Sequence, residues 1–358
     1  MRICVVSSQV FKLGSGGLSG YGGLEQVAWM RAKGLAERGH QVALVAPHGS
    51  SCPGVEVIPC GPAGQWDEKK GFDQYWKRLL SFDAIVDDSW SKHAYMLKAE
   101  GVLKNKVTGK DIPVLGVMHA PVNTMLQSLP PVEKPCMVCI SKDQAQHFEA
   151  LFGRPCRWAY NAVDPEVYKP LGIPRTNRFL FCGRFSSIKG PLIAIKACKE
   201  AGVGLDLIGD TSITNEPEYY EACRKEADGE QIKILGGQSR GACVWWMSQA
   251  HAFIHSAFPF REPFGLAPVE AMLCGLPVIA SDNGALRETV KQGRTGVVIK
   301  SEKELVYLIR SFKVDAKGDW WRNPDMRQEC REWALQFSPQ AMAQRYEELC
   351  TEAIEGGW

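Results

Sequence analysis

The chain contains no apolar run approaching the roughly eighteen residues needed to span a bilayer, so membrane contact is expected to be peripheral at most. It has no excess of either charge. Its 42 Lys and Arg against 40 Asp and Glu leave a formal net charge of +2, which argues against stable binding to nucleic acid through the surface as a whole. It has neither the G-x-G-x-x-G spacing of a dinucleotide fingerprint nor a Walker motif, so no nucleotide is identified by spacing alone. It also lacks a paired cysteine framework. Cys136 and Cys139 form a C-x-x-C inside the apolar run CMVCI, with no second pair or suitably spaced His, and read as core thiols rather than zinc ligands. The thirteen cysteines are scattered through apolar runs, as expected of reduced thiols in a cytoplasm. The opening Met1–Val6 runs straight into a strand pattern, and no signal peptide is expected.

What is present is a two-domain pattern. At 358 residues, 45% hydrophobic and 23% charged, the chain can bury two cores. Short apolar strands alternate with amphipathic helices, the pattern of doubly wound α/β domains. Arg2–Ser7 reads as a strand, residues 14–23 as a glycine-rich loop, Leu24–Glu37 as a helix and Gln41–Pro47 as the next strand. Helical spacing runs through Asp67–Phe82. A strand from Ala84 ends at Asp87-Asp88, and Pro113–Met118 ends at His119, a residue expected to point its imidazole towards a ligand rather than into the sheet. Turn residues in Leu171–Asn177 read as an interdomain linker. Beyond it, strand Arg178–Cys182 leads into Gly183-Arg184 and Lys189-Gly190, with a helix over Pro191–Ala201. Arg184 and Lys189, five residues apart on one loop, suit a diphosphate. A last amphipathic helix spans Ser338–Ile354.

The densest chemistry lies in Arg261–Ile279, REPFGLAPVEAMLCGLPVI. Glu262 and Glu270 stand eight residues apart. Glu262–Leu266 reads as a loop and Val269–Leu273 as the opening of a helix closed by Gly275, which puts Glu270 on the first turn. The amides of Gly265 and Leu266, beside Phe264, would offer a seat for phosphate or sugar oxygens. Glu270 could accept two ribose hydroxyls and Glu262 two hydroxyls of a hexose.

The run EPFGLAPVEAMLCGLPVIAS closely resembles the donor-site signature of retaining glycosyltransferase family 4. Further resemblances are Gly22-Gly23, Ser141-Lys142, Asn161-Ala162-Val163-Asp164 (Ala162 replacing the usual Gly), and the G-R…K-G pair of Arg184 and Lys189. Asn283-Gly284-Ala285-Leu286-Arg287-Glu288 departs from the family's G-G-x-x-E by one Gly, which leaves its contacts undefined.

The resemblance implies a GT-B fold: two Rossmann-like domains facing a cleft, with the last helix crossing back. The acceptor domain would be 1–168, completed by 338–358, and the nucleotide-sugar domain 169–337. It implies a retaining, metal-independent hexosyltransferase, using a UDP- or GDP-sugar and an acceptor hydroxyl on a small molecule, glycan, glycolipid or modified nucleic acid. No cofactor is expected, and the chain has no D-x-D, the usual metal tripeptide of the other large glycosyltransferase fold. Catalytic roles fall to Glu262, His119, Arg184 and Lys189. Donor contacts fall to Gly22, Gly23, Gly183, Arg184, Lys189, Gly209, Phe264, Gly265, Leu266 and Glu270, and the acceptor side to Asp88 and His119. Loops 11–21, 64–75 and 87–95 would shape the acceptor pocket. The alternatives are a silent nucleotide-sugar-binding protein and a nucleotide-sugar epimerase of the same architecture.

Overall fold

A computed structural model describes residues 1–14, 22–122, 136–211, 215–314 and 324–357. The glycine-rich loop read at 14–23 therefore falls mostly outside the described residues, as does the end of the 11–21 loop. The chain divides into two compact units: residues 1–162 with 337–358, and residues 163–336. The division comes ahead of the 168/169 boundary read from the sequence.

The first unit has strands β1 (Arg2–Val6), β2 (Gln41–Ala46), β3 (Glu56–Pro59), β4 (Ala84–Asp87), β5 (Val114–Met118), β6 (Met137–Cys139) and β7 (Arg157–Trp158). All pair in parallel, in the order β3-β2-β1-β4-β5-β6-β7. Strands such as β1, β4 and β5 are continuous apolar runs because helices cover both faces of a parallel sheet. Its helices are α1 (Gly23–Glu37), α2 (Lys69–Leu79), α3 (His93–Ala99), α4 (Lys142–Phe152) and, from the end of the chain, α12 (Pro339–Ile354). α2 buries Phe72, Tyr75 and Leu79, with Phe72 and Tyr75 edge to face at 5.4 Å. Ser141 caps α4 by accepting from the Gln144 amide at 3.1 Å, and Ser338 caps α12 the same way at 3.4 Å, with Pro339 in the first turn.

The second unit repeats the order. Strands β8 (Phe179–Cys182), β9 (Leu205–Ile208), β10 (Ile232–Gly236), β11 (Phe253–His255), β12 (Val278–Ser281) and β13 (Gly296–Ile299) lie as β10-β9-β8-β11-β12-β13, all parallel. Helices α5 (Pro191–Ala201), α6 (Pro217–Glu226), α7 (Arg240–Gln249), α8 (Leu266–Leu273), α9 (Leu286–Thr289), α10 (Glu302–Val314) and α11 (Pro324–Ala334) flank this sheet. In both units the strand order reverses beside the first strand, between β1 and β4 and between β8 and β11. Ligands of open α/β sheets bind outside the carboxyl ends of the strands at such a point.

Two sequence expectations are corrected. Residues 171–177 are not a linker but part of the second unit: the Arg175 guanidinium donates to the Gly275 carbonyl at 2.6 Å, and the Thr176 amide donates to the Gln249 carbonyl at 2.8 Å. Turn-forming residues gave the segment a linker's composition, but its backbone groups are satisfied by the domain. The helix after Glu262 starts at Leu266, with Gly265 before it at φ 88°, so Glu270 lies on the second turn rather than the first. Pro268 fits inside that first turn, where no amide donor is needed.

α12 packs on α1 at close range. A β-carbon on Gly34 would stand 2.7 Å from the Ala343 β-carbon and 3.2 Å from the Pro339 carbonyl oxygen. Arg31 stacks over the Tyr346 ring at 4.0 Å, and Glu347 accepts from Arg38 and lies 3.0 Å from His40. Gly34→Leu is therefore expected to destabilise the first unit by about 1–3 kcal/mol through overpacking, despite a better helix propensity. Denaturant unfolding followed by tryptophan fluorescence tests this; an unchanged midpoint refutes the close packing.

Candidate active site

β11 ends at His255, and seven residues later comes Glu262. Its backbone is held by a segment far along the chain: the Ala285 amide donates to the Glu262 carbonyl at 2.9 Å, and Glu262 and Gly284 form a parallel bridge. Gly284 has φ 77°, and a β-carbon there would stand 2.3 Å from the Glu262 oxygen, so only glycine fits. This answers what the 283–288 loop touches. It fixes the main chain of Glu262.

Lys189 comes from the loop after β8. Gly190, at φ 69°, lies so close to the end of β11 that a β-carbon would meet the Ser256 carbonyl at 2.1 Å, while the Ser256 hydroxyl donates to the Gly190 carbonyl at 2.8 Å. That contact brings the Lys189 ammonium to Glu262 Oε2 at 2.5 Å and over the Phe260 ring at 5.1 Å. His255 Nε2 reaches the same oxygen at 3.3 Å. The three side chains are 17%, 8% and 7% exposed for Lys189, Glu262 and His255. Burial works against the Glu262 charge, but Lys189 and His255 hold its carboxyl well below the usual range. A carboxylate, an ammonium and an imidazole thus converge at the carboxyl ends of β8 and β11.

Glu270 forms a second group. The Tyr168 hydroxyl bonds to it and Arg240 lies near, yet burial dominates and raises its pKa. Tyr168 lies at the end of the segment that follows Asn161-Ala162-Val163-Asp164, where the sequence assigns it no role, and Arg240 gives no local signal. Gly209, at φ 152°, packs backbone to backbone on Gly183: a β-carbon would meet the Gly183 oxygen at 1.9 Å. Strand-end packing thus requires Gly209, whereas a β-carbon on Gly183 would meet the Phe181 ring at an ordinary 3.5 Å. Arg184 follows Gly183, half-buried, on the loop that carries Lys189. Phe264 is buried, while Leu266 opens α8 half-exposed.

In the first unit, Gly22 and Gly23 lead into α1, the Gln26 amide donating to the Gly22 carbonyl at 3.1 Å. Asp88 was read as an acceptor contact, but its side chain is wholly buried. Arg31 of α1 donates to one carboxylate oxygen and His119 Nε2 lies 2.6 Å from the other. Asp88 thus anchors His119. Burial opposes the Asp88 charge, but Arg31 and His119 keep its pKa low. Lys92, at φ 50° and almost fully buried, donates to the Ser89 carbonyl, and Glu68 accepts from the Trp90 and Ser91 amides at 3.3 and 2.7 Å.

Sequence comparisons match the two units separately. Residues 21–167 match the model of Glycosyltransferase Family 4, and residues 165–334 match Glycosyl transferases group 1. The chain belongs to the group 1, family 4 glycosyltransferases. A D-inositol 3-phosphate glycosyltransferase of Catenulispora acidiphila is 25% identical over 99% of this chain and 97% of its own length. Among solved structures, a sucrose-phosphate synthase from Thermosynechococcus elongatus gives a TM-score of 0.76 at 17% identity, covering 99% of this chain and 100% of that one. Anabaena HepE, solved in complex with UDP-glucose, gives 0.72 at 20% identity, covering 98% and 100%. The glycosyltransferase has the GT-B type of domain, two Rossmann-like sheets with flanking helices.

His119 supplies a pH test. Burial is the main cause that holds its imidazole below the ordinary 6.5, with Asp88 opposing. The unfolded chain takes up that proton near pH 6.5, so the contribution of neutral His119 to stability is present above this pH and lost as pH falls. His119→Gln is expected to lose less melting temperature than the wild-type glycosyltransferase between pH 7 and pH 5. Parallel pH profiles of the two proteins would show that folding leaves the His119 pKa unshifted and so refute this.

Proposed function

We propose that this glycosyltransferase moves a hexose-type sugar from a UDP- or GDP-sugar to an acceptor hydroxyl, with retention at the anomeric carbon and without a metal ion. The observation that carries this reading is the convergence of Lys189, Glu262 and His255 where an open α/β sheet binds ligands. The bound UDP-glucose of the structurally similar HepE supports a uridine donor.

In this reading Glu262 accepts hydrogen bonds from hexose hydroxyls and Glu270, steadied by Tyr168, accepts from the ribose. The donor phosphates lie against Gly183 and Gly209, and against Phe264, Gly265 and Leu266 at the start of α8. As the bond from the anomeric carbon to the diphosphate breaks, the acceptor oxygen bonds to that carbon from the same face. The acceptor proton passes to the departing phosphate oxygen. Arg184 and Lys189 carry the negative charge that grows there, the task a divalent cation performs in other phosphate chemistry. His119, steered by Asp88, serves the acceptor hydroxyl. Since the Catenulispora relative is named for D-inositol 3-phosphate, a phosphorylated polyol is the first acceptor to try. The thirteen free thiols favour a cytoplasmic setting.

Sugar transfer should persist in EDTA, and UDP or GDP should raise the melting temperature by mass action. Lys189→Ala and Glu262→Ala should each lower transfer by about 10²-fold or more, the scale of losing one charge-stabilising group. Near-normal rates in both variants would show that the site lies elsewhere. Abolition of transfer by EDTA, restored by magnesium, would refute the metal-free part.

A further inference from the structure

Glu262 Oε2 is shared by two donors from different segments, Lys189 of the loop after β8 at 2.5 Å and His255 Nε2 at 3.3 Å. They are not equivalent. Lys189 is on a flexible stem and is the group that a diphosphate would attract, whereas His255 is the last residue of a central strand, with its ring buried. Among the described residues its buried Nδ1 has no hydrogen-bond partner, so Glu262 is the polar contact for which the ring is placed. A hydrophobic side chain would fill the end of β11 without that orphaned nitrogen. The cost makes sense if Glu262 must keep a donor when Lys189 leaves it.

We propose that His255 is the positioning residue for Glu262: its Nε2 holds the carboxylate in its sugar-binding orientation while Lys189 turns from Glu262 to the diphosphate of the donor. This rests on the donor-site reading given above. The pair seen between Lys189 and Glu262 is then exchanged on donor binding, and the imidazole–carboxylate contact persists. No covalent step involves His255.

The two roles separate in kinetics. Without His255 the diphosphate keeps Lys189 and Arg184, so donor binding survives, but the sugar hydroxyls meet a wandering carboxylate. Misplacement on the ångström scale costs about 10²-fold. The test measures kcat and KM for the nucleotide sugar, with calorimetric Kd for UDP and GDP, in wild type, His255→Ala, His255→Phe and His255→Gln. The expected result is a kcat about 10²-fold lower in His255→Ala and His255→Phe, with the nucleotide Kd within about threefold of wild type. His255→Gln, whose amide can donate to Glu262, recovers most of the lost rate. Circular dichroism and melting temperature check folding, and His255→Phe keeps the ring volume should the alanine variant unfold.

An active wild type with His255→Gln as impaired as His255→Phe overturns the proposal, as does a parallel loss of kcat and nucleotide affinity. A wild type that binds neither UDP nor GDP and transfers no sugar overturns the donor-site reading itself, and His255's role with it.

Discussion

A buried carboxylate must find its counter-charge, and the second unit is arranged around satisfying Glu262. Three segments distant in sequence meet there: the loop after β8 brings Lys189, the end of β11 brings His255, and the 283–285 turn grips the main chain. Each approach depends on a glycine with no room for a β-carbon, Gly190 against Ser256 and Gly284 against Glu262 itself. Such backbone contacts set positions more tightly than a side-chain bond can, because neither partner has a rotamer to change. A preorganised ionic cluster follows from them, and preorganisation is what electrostatic stabilisation of a developing charge requires.

The first unit has the same strand order but uses its switch point differently. Asp88, at the end of β4, is closed in by Arg31 from α1 and His119 from the end of β5, and Arg31 also stacks on Tyr346 of α12. The helix that ends the chain therefore helps to order the imidazole that the sequence marked out. Removing one member of such a buried set leaves an uncompensated charge, at about 3–5 kcal/mol, more than the net worth of the pairs. Structural anchor and candidate acceptor residue share one network here.

Much of the fold was legible because doubly wound domains write themselves in local patterns. The helix Pro191–Ala201 was read to the residue, since Pro opens it and Gly202 closes it in the left-handed region. Local composition misled where tertiary bonds decide: residues 171–177 look like a linker but are tied to Gln249 and Gly275. The start of α8 was placed too late because Gly265 and Pro268 look like loop residues, although both suit a helix's first turn.

The site was legible in part for a related reason. Glu262, Glu270, Arg184 and Lys189 lie in recognisable runs, but what brings Lys189 to Glu262 is long-range. His255 reads as an ordinary strand-end residue, and Gly284 as one glycine too few in a loop. Tyr168, in the NAVDPEVY run, gives no local hint that its hydroxyl meets Glu270 just over a hundred residues on. A motif names the groups that touch a ligand, because their spacing is set by one loop and one helix. The groups that hold those residues come from other strands, at separations fixed by sheet order. In this chain sheet order places β8 beside β11, and that adjacency makes Lys189 and His255 partners of one oxygen.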